Sequence, residues 1–133
     1  MKPERIAKEF VAAINSHRIA NLSALMTDDH VFVDSDGSRN VGRHTVSQAW
    51  TAYFSIVPDY RIIIEETLAR DDTVVILGRA QGTFRSQDGV RSENHWSVPV
   101  AWRAKIDGDR VSVWQVYVNP EVMRQALERI GSP

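Results

Sequence analysis

Cysteine is absent from all 133 residues. Disulfides, thiolate nucleophiles and cysteine-ligated metals are therefore excluded. An excess of charge of either sign is also missing: 16 basic residues stand against 17 acidic ones, a formal net charge of -1. Such a chain has no field to gather nucleic acid or an anionic lipid surface, and neither is expected as a partner. No apolar run approaches the ~20 residues that would span a bilayer. The opening "MKPERIAKEF" carries Glu4 and Glu9 in place of a signal-peptide core, so a cytoplasmic protein is expected. The four histidines, His17, His30, His44 and His95, show no close metal-ligand pairing. The sequence has no nucleophile elbow, phosphate-binding glycine loop or dinucleotide fingerprint. No metal and no cofactor are expected. Seven glycines and five prolines gather into no linker or low-complexity stretch, which leaves one domain over 1–133.

What is present is periodicity. Ile6, Phe10, Ala13 and Ile14 recur at helical spacing, with Pro3 suited to the opening turn. A second short helix is expected from Asn21 as N-cap, with Leu22, Leu25 and Met26 facing inward. "HVFVD" alternates as a strand, and "SDGSRNVG" is rich in turn formers, with room for a short strand at Asn40-Val41. Arg43 to Val57 reads as a third helix, with Val46, Trp50, Tyr53 and Val57 on one face and Pro58 ending it. From Tyr60 to Asn119 the chain reads as antiparallel strands, turning at Asp71-Asp72, at Gln87 to Gly89 and at Asp107 to Asp109. Pro99 falls inside a strand, where its missing donor calls for an edge or a bulge. Asn119 and Pro120 open a last helix with Met123, Leu127 and Ile130 on its apolar face. The order predicts an α+β fold: a cone-shaped, curved antiparallel sheet with helices on its concave side and an open mouth suited to a small-molecule site.

Three stretches, "FVAAINSHRIANLSALMTDDHVFVD", "VGRHTVSQAWTAYFSIVPDY" and "DGDRVSVWQVYV", together resemble the nuclear transport factor 2-like superfamily, in its SnoaL-like branch. That group includes ketosteroid isomerases, polyketide cyclases and limonene epoxide hydrolases. The resemblance covers essentially the whole chain and implies a homodimer formed through the sheet. It places Asp34, eight residues before Gly42, where the isomerases keep a general base. It places Phe10 where they have a donor tyrosine and Val100 where they have a protonated aspartic acid, so both oxyanion donors are missing. One such donor is worth about 2.7–4 kcal/mol of transition-state stabilisation. The epoxide hydrolases' Arg-x-Asp reads Arg79-Ala80-Gln81 here, and their second aspartate falls at Val116. The acidic residue of the cyclases falls near Val116 too.

Asp34 is the catalytic candidate that remains. Period two puts it on the same strand face as Phe32, whereas Asp36, followed by Gly37, belongs to the turn. The resemblance makes cavity faces of Trp96, Val98, Val100 and Trp102 on one strand and of Trp114, Val116 and Val118 on the next. Phe10 and Ile14 of the first helix and Trp50 and Tyr53 of the third would complete the ligand-binding walls. Arg79 and Gln81 share a strand face, with Asp34 as a partner for the arginine if that face is inward. Tryptophan joins a flat apolar body to one polar tip, which suits an apolar or ring-shaped ligand. Three functions stay open: an acid–base enzyme of isomerase or cyclase type using Asp34, with Gln81, Arg79 or an indole N–H as polarising donor; a binder of an apolar metabolite; and a protein-interaction module.

Overall fold

The computed structural model describes residues 2–131. Helix α1 (Lys2–Ser16) and helix α2 (Ile19–Ala24) lead into strands β1 (Met26–Val33) and β2 (Arg39–Val41). Helix α3 (Arg43–Ile56) follows, then strands β3 (Arg61–Arg70), β4 (Thr73–Ser86), β5 (Gly89–Asp107) and β6 (Arg110–Tyr117), and helix α4 (Glu121–Gly131). The six strands form one curved, unclosed sheet in the order β2-β1-β6-β5-β4-β3. This is the mixed α+β architecture that the residue patterns predict. One pairing departs from a pure antiparallel meander: β1 lies parallel to β6. The two strands are far apart in sequence, so no local turn signal announces the pair. No helix among the described residues is long and apolar enough to cross a membrane.

The core lies between the inner sheet face and the helices. Helix α1 buries Ile6, Phe10, Ala13 and Ile14, as its spacing requires, and adds Ala7 and Val11. Asn15 then ties the helix to the sheet edge. Its Nδ2 donates to Ile62 O at 3.0 Å and its Oδ1 accepts the Ile62 N–H at 2.8 Å, so one amide side chain stands in for a neighbouring strand.

The second helix differs from expectation. His17 takes a left-handed φ of 59°, and Arg18 is extended in the cap position. The helix therefore restarts at Ile19, and Asn21 lies inside it rather than capping it. Met26 belongs to β1, not to α2, because β6 supplies a partner there: Met26 pairs with Val111, and the Val111 N–H donates to Leu25 O at 2.7 Å. Pro99 sits in β5, an interior strand. The β5–β6 ladder begins only at Ala101 opposite Tyr117, so Pro99 lies where β5 has lost its β6 neighbour. Asn119 caps α4 as its spacing predicts, its Oδ1 accepting the Glu121 N–H at 3.1 Å.

His30 is wholly buried beside Phe10, with ring centroids 5.7 Å apart. Its Nδ1–H donates to Val111 O at 2.6 Å, while Nε2 has no partner. Burial pushes its pKa below the ordinary value, against the opposing pull of the Val111 carbonyl. The folded protein therefore keeps this imidazole neutral, whereas the unfolded chain takes up a proton near pH 6.5. Stability should be full above that pH and fall as pH drops below it, until the folded-state pKa is reached. Urea midpoints measured from about pH 8 down to about pH 5 should show this loss. His30→Gln should flatten the slope, and an unchanged slope in that variant would refute the assignment.

Candidate functional site

A half-open cavity of about 330 Å³ lies between α3 and the inner face of β1, β6 and β5. Its floor is Trp102, Trp114 and Val116, side chains that alternate inward along β5 and β6. The two indoles stack with centroids 6.2 Å apart. One wall is α3, whose Val46, Ala49, Trp50 and Tyr53 follow one another at helical spacing. Phe32 and Asp34 close the β1 end with Asn40 from β2. Tyr60 enters from the α3–β3 loop, and Val118 and Met123 from the approach to α4 and its first turn.

Gly42 sets the angle between β2 and α3. Its φ is 100°, and its N–H donates to His30 O at 2.7 Å. A residue with a Cβ would meet that left-handed conformation at a cost. The hairpin before it holds Asp34 in place: the Asp34 N–H donates to Ser38 O, and Asp34 O accepts the Gly37 N–H, both at 2.9 Å. Asp36 is a turn former, its Oδ1 accepting the Ser38 N–H at 2.9 Å. That bond holds the exposed Asp36 carboxyl below its ordinary pKa. Asp34 is also exposed, at the cavity mouth, with Oδ1 accepting the Ser35 N–H at 2.7 Å.

Around Trp50 the rings form a connected cluster. Phe32 lies 6.1 Å from it and Tyr53 6.2 Å, both edge-on. Tyr60 lies 6.2 Å from Trp50 and meets Tyr53 edge-on at 5.1 Å. Neither phenol makes a hydrogen bond among the described residues. Burial raises the pKa of Tyr53 well above its ordinary value, and the Asp34 charge adds to the rise. Burial does the same for Tyr60, with Tyr53 adding a smaller effect. Both hydroxyls therefore keep their protons at any physiological pH and remain donors. Tyr60 is positioned from behind: His17 stacks on Phe54 at 4.1 Å and donates from Nε2–H to Tyr60 O at 2.7 Å.

Eight of the residues singled out from sequence meet here: Phe32, Asp34, Trp50, Tyr53, Trp102, Trp114, Val116 and Val118. Others take different places. Phe10 and Ile14 are completely buried under the floor, Phe10 packing on Trp114 at 4.9 Å. Trp96, Val98 and Val100 share the buried inner face of β5 but stand outside the cavity lining. Trp96 instead fills the core between Tyr60 at 6.1 Å and Phe84 at 5.7 Å. Arg79 and Gln81 are a correction. The inward residues of β4 are Val74, Ile76, Gly78, Ala80 and Gly82, so the odd-numbered pair lies on the opposite face. Arg79 there donates from Nε to Ser97 Oγ at 3.1 Å, and Asp34 is not its partner. His30 shares strand parity with Asp34 but is sealed in the core.

Five lining residues were not singled out: Asn40, Val46, Ala49, Tyr60 and Met123. The helical spacing of α3 already implicates Val46 and Ala49. Tyr60 sits in a loop with no period, and nothing local shows that the α4 face closes over this mouth.

Solved structures with the same fold are numerous. A candidate SnoaL-like polyketide cyclase from Shewanella denitrificans OS-217 superposes with a TM-score of 0.83 at 16% identity, over 96% of this chain and 97% of its own. A protein of ketosteroid isomerase-like fold from Catenulispora acidiphila DSM 44928, in complex with trimethylamine, gives 0.78 at 20% identity over 96% and 93%. A LEH-like epoxide hydrolase from M. tuberculosis gives 0.80 at 17% identity over 97% and 91%. Identities this low establish a shared fold and no shared chemistry. No curated protein matches the sequence. The SnoaL-like domain model matches residues 7–114, and with the cone, the helix order and the cavity in place, the chain belongs to the SnoaL-like domain family.

Proposed function

We propose that this protein binds a small, predominantly apolar, ring-bearing molecule in the aromatic cavity. One observation carries the reading: among the described residues, six aromatic side chains and five aliphatic ones converge on one half-open space, joined in its lining by Asn40 and Asp34. Concave, mostly apolar walls with a few placed polar groups are the usual form of a small-molecule site. Trimethylamine in one structural neighbour and the cyclase and epoxide hydrolase descriptions of others agree with a ligand-binding cone, but they do not agree on a ligand. The outer sheet face, where Ile63 and Tyr117 are exposed, supports the homodimer implied by the resemblance.

A second reading is favoured by the two unengaged phenols. An enzyme of isomerase or cyclase type needs a base and donors to the oxyanion it creates. Phe10 and Val100 supply no donors, but Tyr53 and Tyr60 stand in the same cavity as Asp34. Asp34 would take a proton from carbon next to a carbonyl, and the phenols would hold the enolate oxygen.

Two experiments, tryptophan fluorescence and deuterium exchange, distinguish these readings. Three of the four tryptophans line the cavity, so titration with a hydrophobic ring compound such as 1-naphthol should give a saturable change. The absence of any change would remove the binding reading. Deuterium uptake at the α-carbon of a bound cyclic ketone would show catalysis. In that case Asp34→Asn should slow exchange by about 10²–10⁴-fold while the fold, read by circular dichroism, stays intact. No exchange above the solvent rate with bound ketone leaves binding alone.

A further inference from the structure

We propose that the cavity selects a cation: a ring-bearing amine whose ammonium group sits at the mouth beside Asp34 and whose apolar body lies over Trp102 and Trp114. This inference rests on the binding reading and gives its ligand a charge.

The first support is the charge inventory. Among the described residues that line the cavity, Asp34 carries the one acidic side chain, and no lysine, arginine or histidine is present. The Asp34 carboxylate accepts an N–H and an O–H from Ser35 and forms no ion pair among the described residues. A ligand therefore meets an uncompensated negative charge. That charge is felt inside the cavity, since it contributes to holding the Tyr53 phenol above its ordinary pKa.

The second support is ring geometry. Aromatic faces are electron-rich, and a cation gains most where several faces surround it. A stacked set of rings would offer a slot for a flat molecule. Here neighbouring rings meet near right angles: 74° between Phe32 and Trp50, 83° between Trp50 and Tyr53, and 79° between Tyr53 and Tyr60. Trp50 and Tyr60 meet at 47°, and the Trp102–Trp114 floor is stacked at 23°, so a flat floor for an apolar body is bordered by wall rings of several orientations. The Tyr53 and Tyr60 oxygens can also accept an N–H from a protonated amine. An anion in the same place would face a carboxylate and the repulsive side of each ring. The volume of about 330 Å³ exceeds what a bare ammonium group fills, which is why the cation must carry an apolar body.

The test uses two probes of nearly equal shape, benzyltrimethylammonium and neopentylbenzene, which differ in charge at one atom. Each is titrated against tryptophan fluorescence at low and high salt. The cation should bind about tenfold more tightly, and its advantage should shrink as salt rises. Asp34→Asn should remove most of that advantage, whereas Asp36→Asn, which changes the same net charge two residues away in the turn, should preserve it. Equal affinity for the two probes overturns the cation inference and leaves the binding reading standing. Failure of both probes to bind overturns both. Equal losses in the two variants would show a net-charge effect and also overturn the inference.

Discussion

Replacing Trp114 with alanine should cost about 3–5 kcal/mol of folding stability. For a chain of this length that corresponds to a fall in Tm of roughly 10–20 °C. The residue is 1% exposed and works on two levels. Below, it packs on Phe10 at 4.9 Å, and beside it lies Trp102 at 6.2 Å. Above, it forms part of the cavity floor. Truncation removes the largest side chain type from a close-packed layer, and the space left opens into the cavity instead of collapsing. Trp114→Phe keeps a ring against Phe10 and should lose less than half as much. Urea unfolding followed by circular dichroism checks both variants. An unchanged midpoint in the alanine variant would mean that the floor does not depend on this indole. Ligand affinity should fall in the same variant, because the floor it would rest on is gone.

Gly78→Ala should be nearly as damaging, by about 3 kcal/mol or more, for the opposite reason of overfilling. A Cβ at this position would stand 1.9 Å from Ile63 O, 3.0 Å from Ile63 C and 3.3 Å from Glu65 N. All three are backbone atoms of β3, so no rotamer change relieves the clash. The close approach coincides with a register shift in β3 between Ile64 and Glu66, where the bulged strand leans onto β4. Alanine must push β3 away and break part of the β3–β4 ladder. Hydrogen exchange should therefore quicken first in β3, the edge strand. Gly78 does not line the cavity, so the folded fraction should keep its ligand affinity. Loss of affinity at unchanged stability would contradict this account.

Much of the fold was legible because periodicity is local. Strand β5 carries its bulky apolar residues at one parity, from Trp96 to Trp102, and period two groups Trp114 with Val116 on β6; the resemblance then made a common cavity face of the two strands. Strand β4 shows the limit. Val74, Ile76 and Ala80 compete with Val75 and Leu77, and both parities read as apolar. Parity grouped Arg79 with Gln81, but only the register against β5 decided that this pair lies outside. The same limit applies to α2, where the pairing of Met26 with Val111, over eighty residues away in sequence, overrode the local reading of a helix face.

The sequence by itself determined the α+β class, the order of elements, the turn role of Asp36 and the place of Asp34 at the end of β1. These follow from residues adjacent in the chain, through period, caps and turn chemistry. Only the tertiary structure decided that Phe10 lies under the floor, and that Tyr60, Tyr53, Asp34 and Met123 of α4 line one cavity. A cavity is the space left between elements that meet from distant parts of the chain, so no window of contiguous residues encodes it.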